Sequence, residues 1–342
     1  MTADQPREPI PANSGRTTLA AVARLAGVSV ATVSKVVNGR SDVAPETRSR
    51  VEALLREHEY TAPVVRRAEA AAPSTIEVQF AGDLRPYVAE ALGGIVDAAA
   101  ELSVSVVISQ PDRGPRWARE LVSVGRRALI AITSVYSPAD VDALTRAALP
   151  LVVLDPMHLP HSDVTSVGST NFAGGFAATQ HLLSLGHRRI AYLGGPADAA
   201  ANQARVHGYR AAMEAKAPVP DAYVRAGEFT YQTGVDGAAA VLDLTAPPTA
   251  VFAGNDEIAL GVIETARTRG LRVPEDLSVV GFDDTLLAKM SSPPLTTVRQ
   301  PLREMGGVAL RTALRLADGE KLDSHHVELA TELVVRASTA RV

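Results

Sequence analysis

The strongest constraint on the fold is a texture that begins near residue 75. Seven short runs, IEVQFAG, VSVVISQ, ALIAIT, PLVVLD, RIAYLGG, PTAVFAG and LSVVGF, are rich in β-branched residues and have almost no polar interruption. Alanine-rich stretches with helical spacing, such as 87–102, 172–185 and 204–215, lie between them. Strands that are apolar along their whole length bury both faces, as in a parallel sheet covered by helices on each side. Their alternation with helices reads as a doubly wound α/β architecture. The pattern runs through twice, with a changeover near 167–171, so it predicts two similar parallel-sheet subdomains with a cleft between them.

In open α/β sheets ligands sit beyond the carboxyl ends of the strands. Those positions hold Asp83-Leu84-Arg85-Pro86-Tyr87 after the first run, Asp155 after PLVVL, and Gly194-Gly195-Pro196 followed by Asn202 and Arg205 after RIAYL. Asn255-Asp256 ends TAVFAG, Asp283-Asp284 ends LSVVGF, and Phe229 follows a further short run at 222–228. Carboxylates, an amide, a guanidinium and aromatic rings can together hydrogen-bond hydroxyls and stack on an apolar ring face, which is how a small polar ligand is held. Asp256, directly before the run that begins at Ile258, reads as a helix N-cap. Asp284 reads equally well as structural.

A different texture precedes this body. At 19–38, LAAVARLAGVSVATVSKVVN, two helical patterns flank Gly27-Val28-Ser29. Leu19, Val22, Ala23 and Ala26 share one helix face, and Val33, Val36 and Val37 share the next. Gly27 suits the sharp turn and Ser29 the N-cap of the second helix. Pro45 and Glu46 then open a third helix, whose apolar face is Val51, Leu54 and Leu55. Two short helices joined by a glycine turn match the helix-turn-helix, which places its second helix in the DNA major groove. Charge agrees with that placement. The whole chain carries −4, yet 16–67 holds nine Lys/Arg against five Asp/Glu. A basic head on an acidic body is expected when only the head meets phosphates. Residues 1–16 read as a disordered arm and 61–74, with a proline near each end, as a linker or hinge.

Catalytic signatures are missing. The chain has no cysteine, no G-x-x-x-x-G-K-[S/T], no G-x-G-x-x-G and no G-x-S-x-G. Its eight histidines fall into no metal-ligand spacing, His325-His326 reads as solvent-facing, and Trp117 as helix packing. No cofactor or metal is called for. The polar N-terminus lacks a signal-peptide apolar run, and no segment approaches a membrane span of about 20 residues, so a cytoplasmic, nucleoid-associated protein is expected.

These residues resemble the lac repressor family of bacterial transcription regulators, over about 18–338. The head LAAVARLAGVSVATVSKVVNGR…VAPETRSRVEALLREHEY carries the resemblance, together with HLLSLGHRRIAYLGG, RVHGYRAAM, VFAGNDEIALGVIETARTRGLRVPEDLSVVGFDD, PPLTTVRQP and ELVVRAS. The resemblance implies a helix-turn-helix head at 17–60, a hinge at 61–74 and an effector-binding, dimerising body at 75–342, like a periplasmic binding protein. Its N-subdomain would take about 75–167 and 299–328, and its C-subdomain 168–298 and 329–342. It implies a homodimeric repressor on a pseudo-palindromic operator, controlled by a small polar effector, best a sugar. Positions matching Val30, Ala31 and Lys35 look into the major groove, where small apolar residues suit thymine methyls and a lysine suits guanine or phosphate. Thr18, Ser29, Thr32, Ser34, Asn38 and Arg48 match phosphate-positioning residues. Arg205, Asn255 and Asp283 match the effector site, with Asp155 and Phe229 beside them; Arg85 and Tyr87 join them from the first strand end. The hinge departs from the family. Tyr60 is followed by Thr61-Ala62-Pro63, one residue out of step, and the wedge leucine position falls on Glu69 or Ala70. Arg66 and Arg67 are then the minor-groove contacts in place of an intercalating wedge.

Two other classes stay open on the residues alone. One is a solute-binding protein for transport, which the N-terminal head speaks against. The other is an enzyme on a doubly wound fold, for which only the adjacent Asp283 and Asp284 speak. The head reading is testable: Lys35→Ala should weaken operator binding by about 1–3 kcal/mol and leave small-ligand affinity unchanged. Titrating DNA and ligand against one preparation checks this, and equal losses in both would remove the 30–38 helix from a reading role.

Overall fold

A computed structural model of the chain describes residues 19–37, 43–57 and 74–342, apart from 112–113, 115, 159–163, 215 and 217–218. The chain divides into two units, Met1–Ala72 and Pro73–Val342.

In the first unit, α1 (Leu19–Ala26), α2 (Val30–Val37) and α3 (Pro45–Glu57) enclose Val22, Ala26, Val33, Val36 and Val51. Gly27 turns the chain at a φ of 64°, and the Val28 N–H donates back to the Ala23 carbonyl at 3.1 Å. Without a Cβ, glycine adopts this left-handed conformation at no steric cost. Ser29 Oγ accepts the Thr32 N–H at 3.1 Å, which caps α2.

The second unit contains, in order, β1 (Thr75–Phe80), α4 (Pro86–Glu101), β2 (Ser105–Ser109), α5 (Trp117–Ser123), β3 (Arg126–Ile132), α6 (Pro138–Arg146), β4 (Leu151–Leu154) and β5 (Thr165–Ser169). It continues with α7 (Asn171–Ser184), β6 (Ile190–Leu193), α8 (Ala200–Glu214), β7 (Val224–Arg225), α9 (Tyr231–Leu242), β8 (Ala250–Ala253), α10 (Asp256–Thr268) and β9 (Ser278–Asp283). The last elements are α11 (Leu286–Met290), β10 (Thr296–Arg299), α12 (Leu302–Ala317), β11 (His326–Leu329) and β12 (Glu332–Val334).

Two six-stranded sheets follow one plan, β11-β5-β4-β3-β1-β2 and β12-β10-β9-β8-β6-β7. All pairs are parallel except β10 with β12. Helices α4 and α12 cover one face of the first sheet over Ile76, Val78 and Ile130, and Trp117 and Leu144 pack against Leu129 on the other. In the second sheet α7 and α8 bury Leu182, Tyr192, Tyr209 and Phe282, while α9 and α10 bury Val241, Val251, Val262 and Val279. The doubly wound expectation holds. Strands β5 and β10 are additions to the apolar runs, because β5 (TSVGS) and β10 (TTVR) are rich in hydroxyl side chains, while β7 falls within the short run at 222–228.

The chain passes between the sheets after β5, after β10 and between β11 and β12. That third passage falls close to the expected subdomain boundary at 328/329. It lies at Ala330-Thr331, where the Thr331 N–H donates to Thr170 Oγ1 at 3.0 Å beside the first passage. Among the described residues, no helix is long and apolar enough to cross a membrane.

Three helix pairs approach so closely that only glycine fits between them. A Cβ at Gly94 on α4 would lie 1.9 Å from the Arg303 carbonyl oxygen of α12. One at Gly175 on α7 would lie 2.4 Å from the Arg205 carbonyl of α8, and one at Gly208 on α8 2.3 Å from the Phe172 carbonyl. On α9 and α10, Gly234 and Gly261 meet backbone in the same way. Gly175→Ala therefore forces two helices apart, with an expected loss of about 1–3 kcal/mol in urea unfolding. Gly168→Ala, whose methyl meets nothing within 4 Å, is the control and should lose less.

Candidate functional site

On the first unit, Val33 and Val36 turn inward and leave the opposite side of α2 to solvent. Val30, Ala31 and Lys35 are exposed there, with Ser29 just before the helix and Thr32 and Ser34 half-buried beside them. Arg48 is half-buried on α3. The fold thus presents Val30, Ala31 and Lys35 from one short helix. Thr18, Asn38, Arg66 and Arg67 lie outside the described residues, as does the hinge with Glu69 and Ala70.

On the second unit, one cleft of about 660 Å³, counted out to its mouth, lies between the sheets. Arg85, Tyr87, Asp155, Arg205, Phe229, Asn255 and Asp283 all line it. Arg85 and Tyr87 come from the start of α4 and Asp155 from the end of β4. The other four belong to the second sheet and its helices.

Arg205 is the centre of the site. It is 3% exposed and projects from α8, with Nε donating to Asn171 Oδ1 at 2.8 Å and Nη1 to the Gly254 carbonyl at 2.7 Å. Its guanidinium lies 3.8 Å from the centroid of Phe282 and 5.6 Å from that of Phe229. Asp283 Oδ1 is 3.9 Å from Nη1 and accepts from Gln300 Nε2 at 2.7 Å. With two of five donors engaged, at most three remain for a ligand. Phe229 lies over Gly195, where a Cβ would approach its ring to 2.5 Å. The Gly194-Gly195 pair, which fits no phosphate-binding pattern, thus makes room for side chains: Gly195 for the Phe229 ring, Gly194 for Asn202 and Tyr192.

Asn255 Oδ1 accepts the Ile258 N–H at 2.8 Å, so Asn255 is the N-cap of α10. This corrects the assignment of the cap to Asp256. That residue is buried one step inside the helix and accepts from Thr285 N–H, Thr285 Oγ1 and Thr297 Oγ1 at 2.8, 2.9 and 2.6 Å. Asp284 also turns away from the cleft, paired with Arg299 at 2.7 Å and Arg336 at 2.5 Å. Asp283 and Asp284 are therefore not a catalytic pair of carboxylates. Asn202 is structural too, since it accepts from Tyr192 Oη at 2.7 Å.

Burial pushes the carboxyls of Asp155 and Asp283 up, against the opposing pull of Arg205, with Asp283 well above the usual carboxylate range. Asp256, electrostatically linked to Asp283, is pushed up to about 7 by burial. Burial and the Asp155 charge raise the Tyr87 phenol, so its hydroxyl stays protonated and donates to Asp155 Oδ2 at 3.1 Å. Thr133, Asp155 and Asp283, all lining the cleft, have φ of 46°, 50° and 112°. Each such conformation costs about 1–3 kcal/mol, and clustering of this kind marks functional sites.

Glu257 and Thr133 were missed at the level of sequence. Thr133 directly follows β3, so the strand-end rule covers it. Glu257 gives no local signal, because its partner Arg85 is 172 residues away: Arg85 Nη1 lies 2.9 Å from Glu257 Oε2.

Comparison with known proteins places this geometry. Residues 18–62 match the family of bacterial regulatory proteins of the lacI type, and 179–339 match the periplasmic binding protein-like domain. The HTH-type transcriptional regulator DegA of Bacillus subtilis (strain 168) is 36% identical over 336 residues, covering 95% of this chain and 98% of that protein. The chain belongs to the lacI family. It is a ligand-responsive, DNA-binding transcription regulator. Among solved structures, a complex of the transcriptional regulator CelR with cellobiose matches with a TM-score of 0.69 and 33% identity, covering 94% of this chain and 100% of that one. The lac repressor dimer bound to operator and the anti-inducer ONPF matches with a TM-score of 0.72 and 29% identity, over 95% and 100%.

The buried carboxyls of this regulator predict a pH dependence. Below about pH 4 the folded and unfolded chains both hold these protons. Above it the unfolded chain releases them first, so this part of the stability falls as pH climbs towards the raised native values. Asp283→Asn removes one of the groups, and the melting temperature should then fall less steeply between about pH 4 and 7. Calorimetry across that range checks this; an unchanged slope would remove Asp283 from the account.

Proposed function

We propose that this regulator is a repressor that binds a pseudo-palindromic operator as a homodimer, and that a small neutral sugar in the cleft sets its affinity for DNA. The observation that carries the reading is the convergence of Asp155, Arg205, Phe229, Asn255 and Asp283 on one cleft. Asp155, Arg205 and Asp283 hydrogen-bond sugar hydroxyls, Asn255 adds an amide, and Phe229 stacks on the apolar face of the ring. Tyr87 orients Asp155. Three acidic residues against two arginines line the cavity, which favours a neutral ligand over a phosphorylated one. Cellobiose in the CelR complex belongs to the same chemical class. Catalysis has no part in this reading, and the regulator works in the cytoplasm beside the nucleoid.

In the head, residues 17–60, Val30 and Ala31 face thymine methyls and Lys35 a guanine edge or a phosphate. Ser29, Thr32, Ser34 and Arg48 fix the register on phosphates, joined by Thr18 and Asn38. Arg66 and Arg67 add minor-groove charge in the linker at 61–74. The body, 75–342, binds effector and dimerises; exposed Leu84 beside α4, Val96 on α4, and Leu286 and Met290 on α11 supply apolar surface for a twofold partner. Effector binding changes the relation of the two subdomains, and a coupling of about 1–3 kcal/mol alters operator affinity several- to a hundredfold.

Arg205→Ala and Asp283→Ala should abolish the response of operator binding to effector while both variants still bind operator. Thermal-shift screening of sugars and nucleobases, followed by operator titration with and without the best hit, tests this. A normal response in either variant would move the effector elsewhere.

A further inference from the structure

The mouth of the cleft is bridged from one subdomain to the other. Arg85 precedes α4 beside the first sheet and is the N-cap position of that helix. Its Nη1 donates across the gap to Glu257 Oε2 at 2.9 Å, in the first turn of α10, and to the Phe229 carbonyl at 2.8 Å. Asn255 Nδ2 reaches the same carbonyl at 3.3 Å. The backbone of Phe229 is thereby clamped by one residue from each subdomain. Its ring is held over Gly195 on one side and near Arg205 on the other. The Glu257 side chain is 20% exposed and that of Arg85 38%, so the pair stands at the boundary between cavity and solvent.

We propose that Arg85 is a positioning residue that latches the cleft shut and sets the Phe229 ring, rather than one that grips the effector. Nη1 is committed to two protein acceptors on the opposite subdomain. Closing the cleft and placing the stacking ring are therefore one event. A ligand enters or leaves only when the Arg85–Glu257 pair and the Arg85–Phe229 bond break together. The latch thus governs the lifetime of the bound state, while the affinity for hydroxyls resides in Asp155, Arg205 and Asp283. This inference rests on the reading of the cleft as the effector site.

Hydrogen exchange of the full-length protein without any ligand tests the latch itself, read at the amides of 226–234 and compared with those of 302–317 in α12. Arg85→Ala should speed exchange in the first segment by about fivefold or more and leave the second unchanged. Glu257→Gln should give a smaller effect, because the bond to the Phe229 carbonyl survives. The double variant should match Arg85→Ala, and Arg85→Lys, which keeps a cationic donor, should restore most of the protection. Exchange at 226–234 equal to that of the parent, additive losses in the double variant, an Arg85→Lys as loose as Arg85→Ala, or faster exchange in α12 as well would each overturn the proposal. Stopped-flow binding of D-ribose and cellobiose is the separate arm. Arg85→Ala should release either bound sugar faster, and an unchanged release rate would also overturn the latch. If the parent binds neither sugar, the sugar reading falls, while the ligand-free exchange still decides the latch.

Discussion

Burying the Arg205 guanidinium is the constraint on which the body depends. A charge taken out of water costs several kcal/mol unless carboxylates and hydrogen bonds surround it. Here the compensation comes from separate parts of the chain. Asn171 stands at the first crossing between the sheets, Gly254 follows β8, Asp283 ends β9, and Phe282 stacks beneath the guanidinium. Gln300, at the second crossing, holds Asp283. Two of the three crossings are thus tied to a single buried cation, so movement of one subdomain against the other is felt at Arg205. A ligand that completed its hydrogen bonding would favour one arrangement of those crossings, since differential affinity of that kind shifts a conformational equilibrium.

Glycine positions the helices that bring these groups together. At α7 and α8, Gly175 and Gly208 let backbone meet backbone, which sets both Asn171 and Arg205. Gly234 and Gly261 do the same for α9 and α10, which carries Glu257 behind its cap Asn255, and Gly94 for α4, which follows Arg85. Close packing of this type transmits small displacements, because protein interiors are nearly incompressible. Rigid helix pairs that present polar groups at their ends can act as levers between the two subdomains of the body.

The site also shows why a strand end is a good place to bind. Asp155 and Asp283 leave their strands in left-handed backbone conformations, which turn the carboxylates into the cleft. The neighbouring acids have other work. Asp256 ties α10 to Thr285 and Thr297, and Asp284 anchors Arg299 and Arg336. Four acids that look alike in sequence therefore divide into two that line the cleft and two that hold the fold.

The sequence by itself determined the architecture and most of the site. Apolar β-branched runs can be satisfied only as strands covered on both faces, and the strand-end rule then singles out Asp155, Asn255 and Asp283 without any contact being known, with Arg205 on the helix that follows β6. The helix-turn-helix was legible for the same reason: Gly27, Ser29 and the valine spacing are local, and local sterics and hydrogen bonds act within a few residues. The tertiary structure alone decided which Asx residue caps α10, because Asn255 and Asp256 are both competent caps and only the hydroxyls of Thr285 and Thr297 claim one of them. It alone fixed the last crossing between the sheets at Ala330-Thr331, where Thr331 bonds Thr170. It alone joined Arg85 to Glu257, for an ion pair 172 residues apart in the chain leaves no periodicity or spacing to read; it exists only once two sheets stand on either side of a cleft.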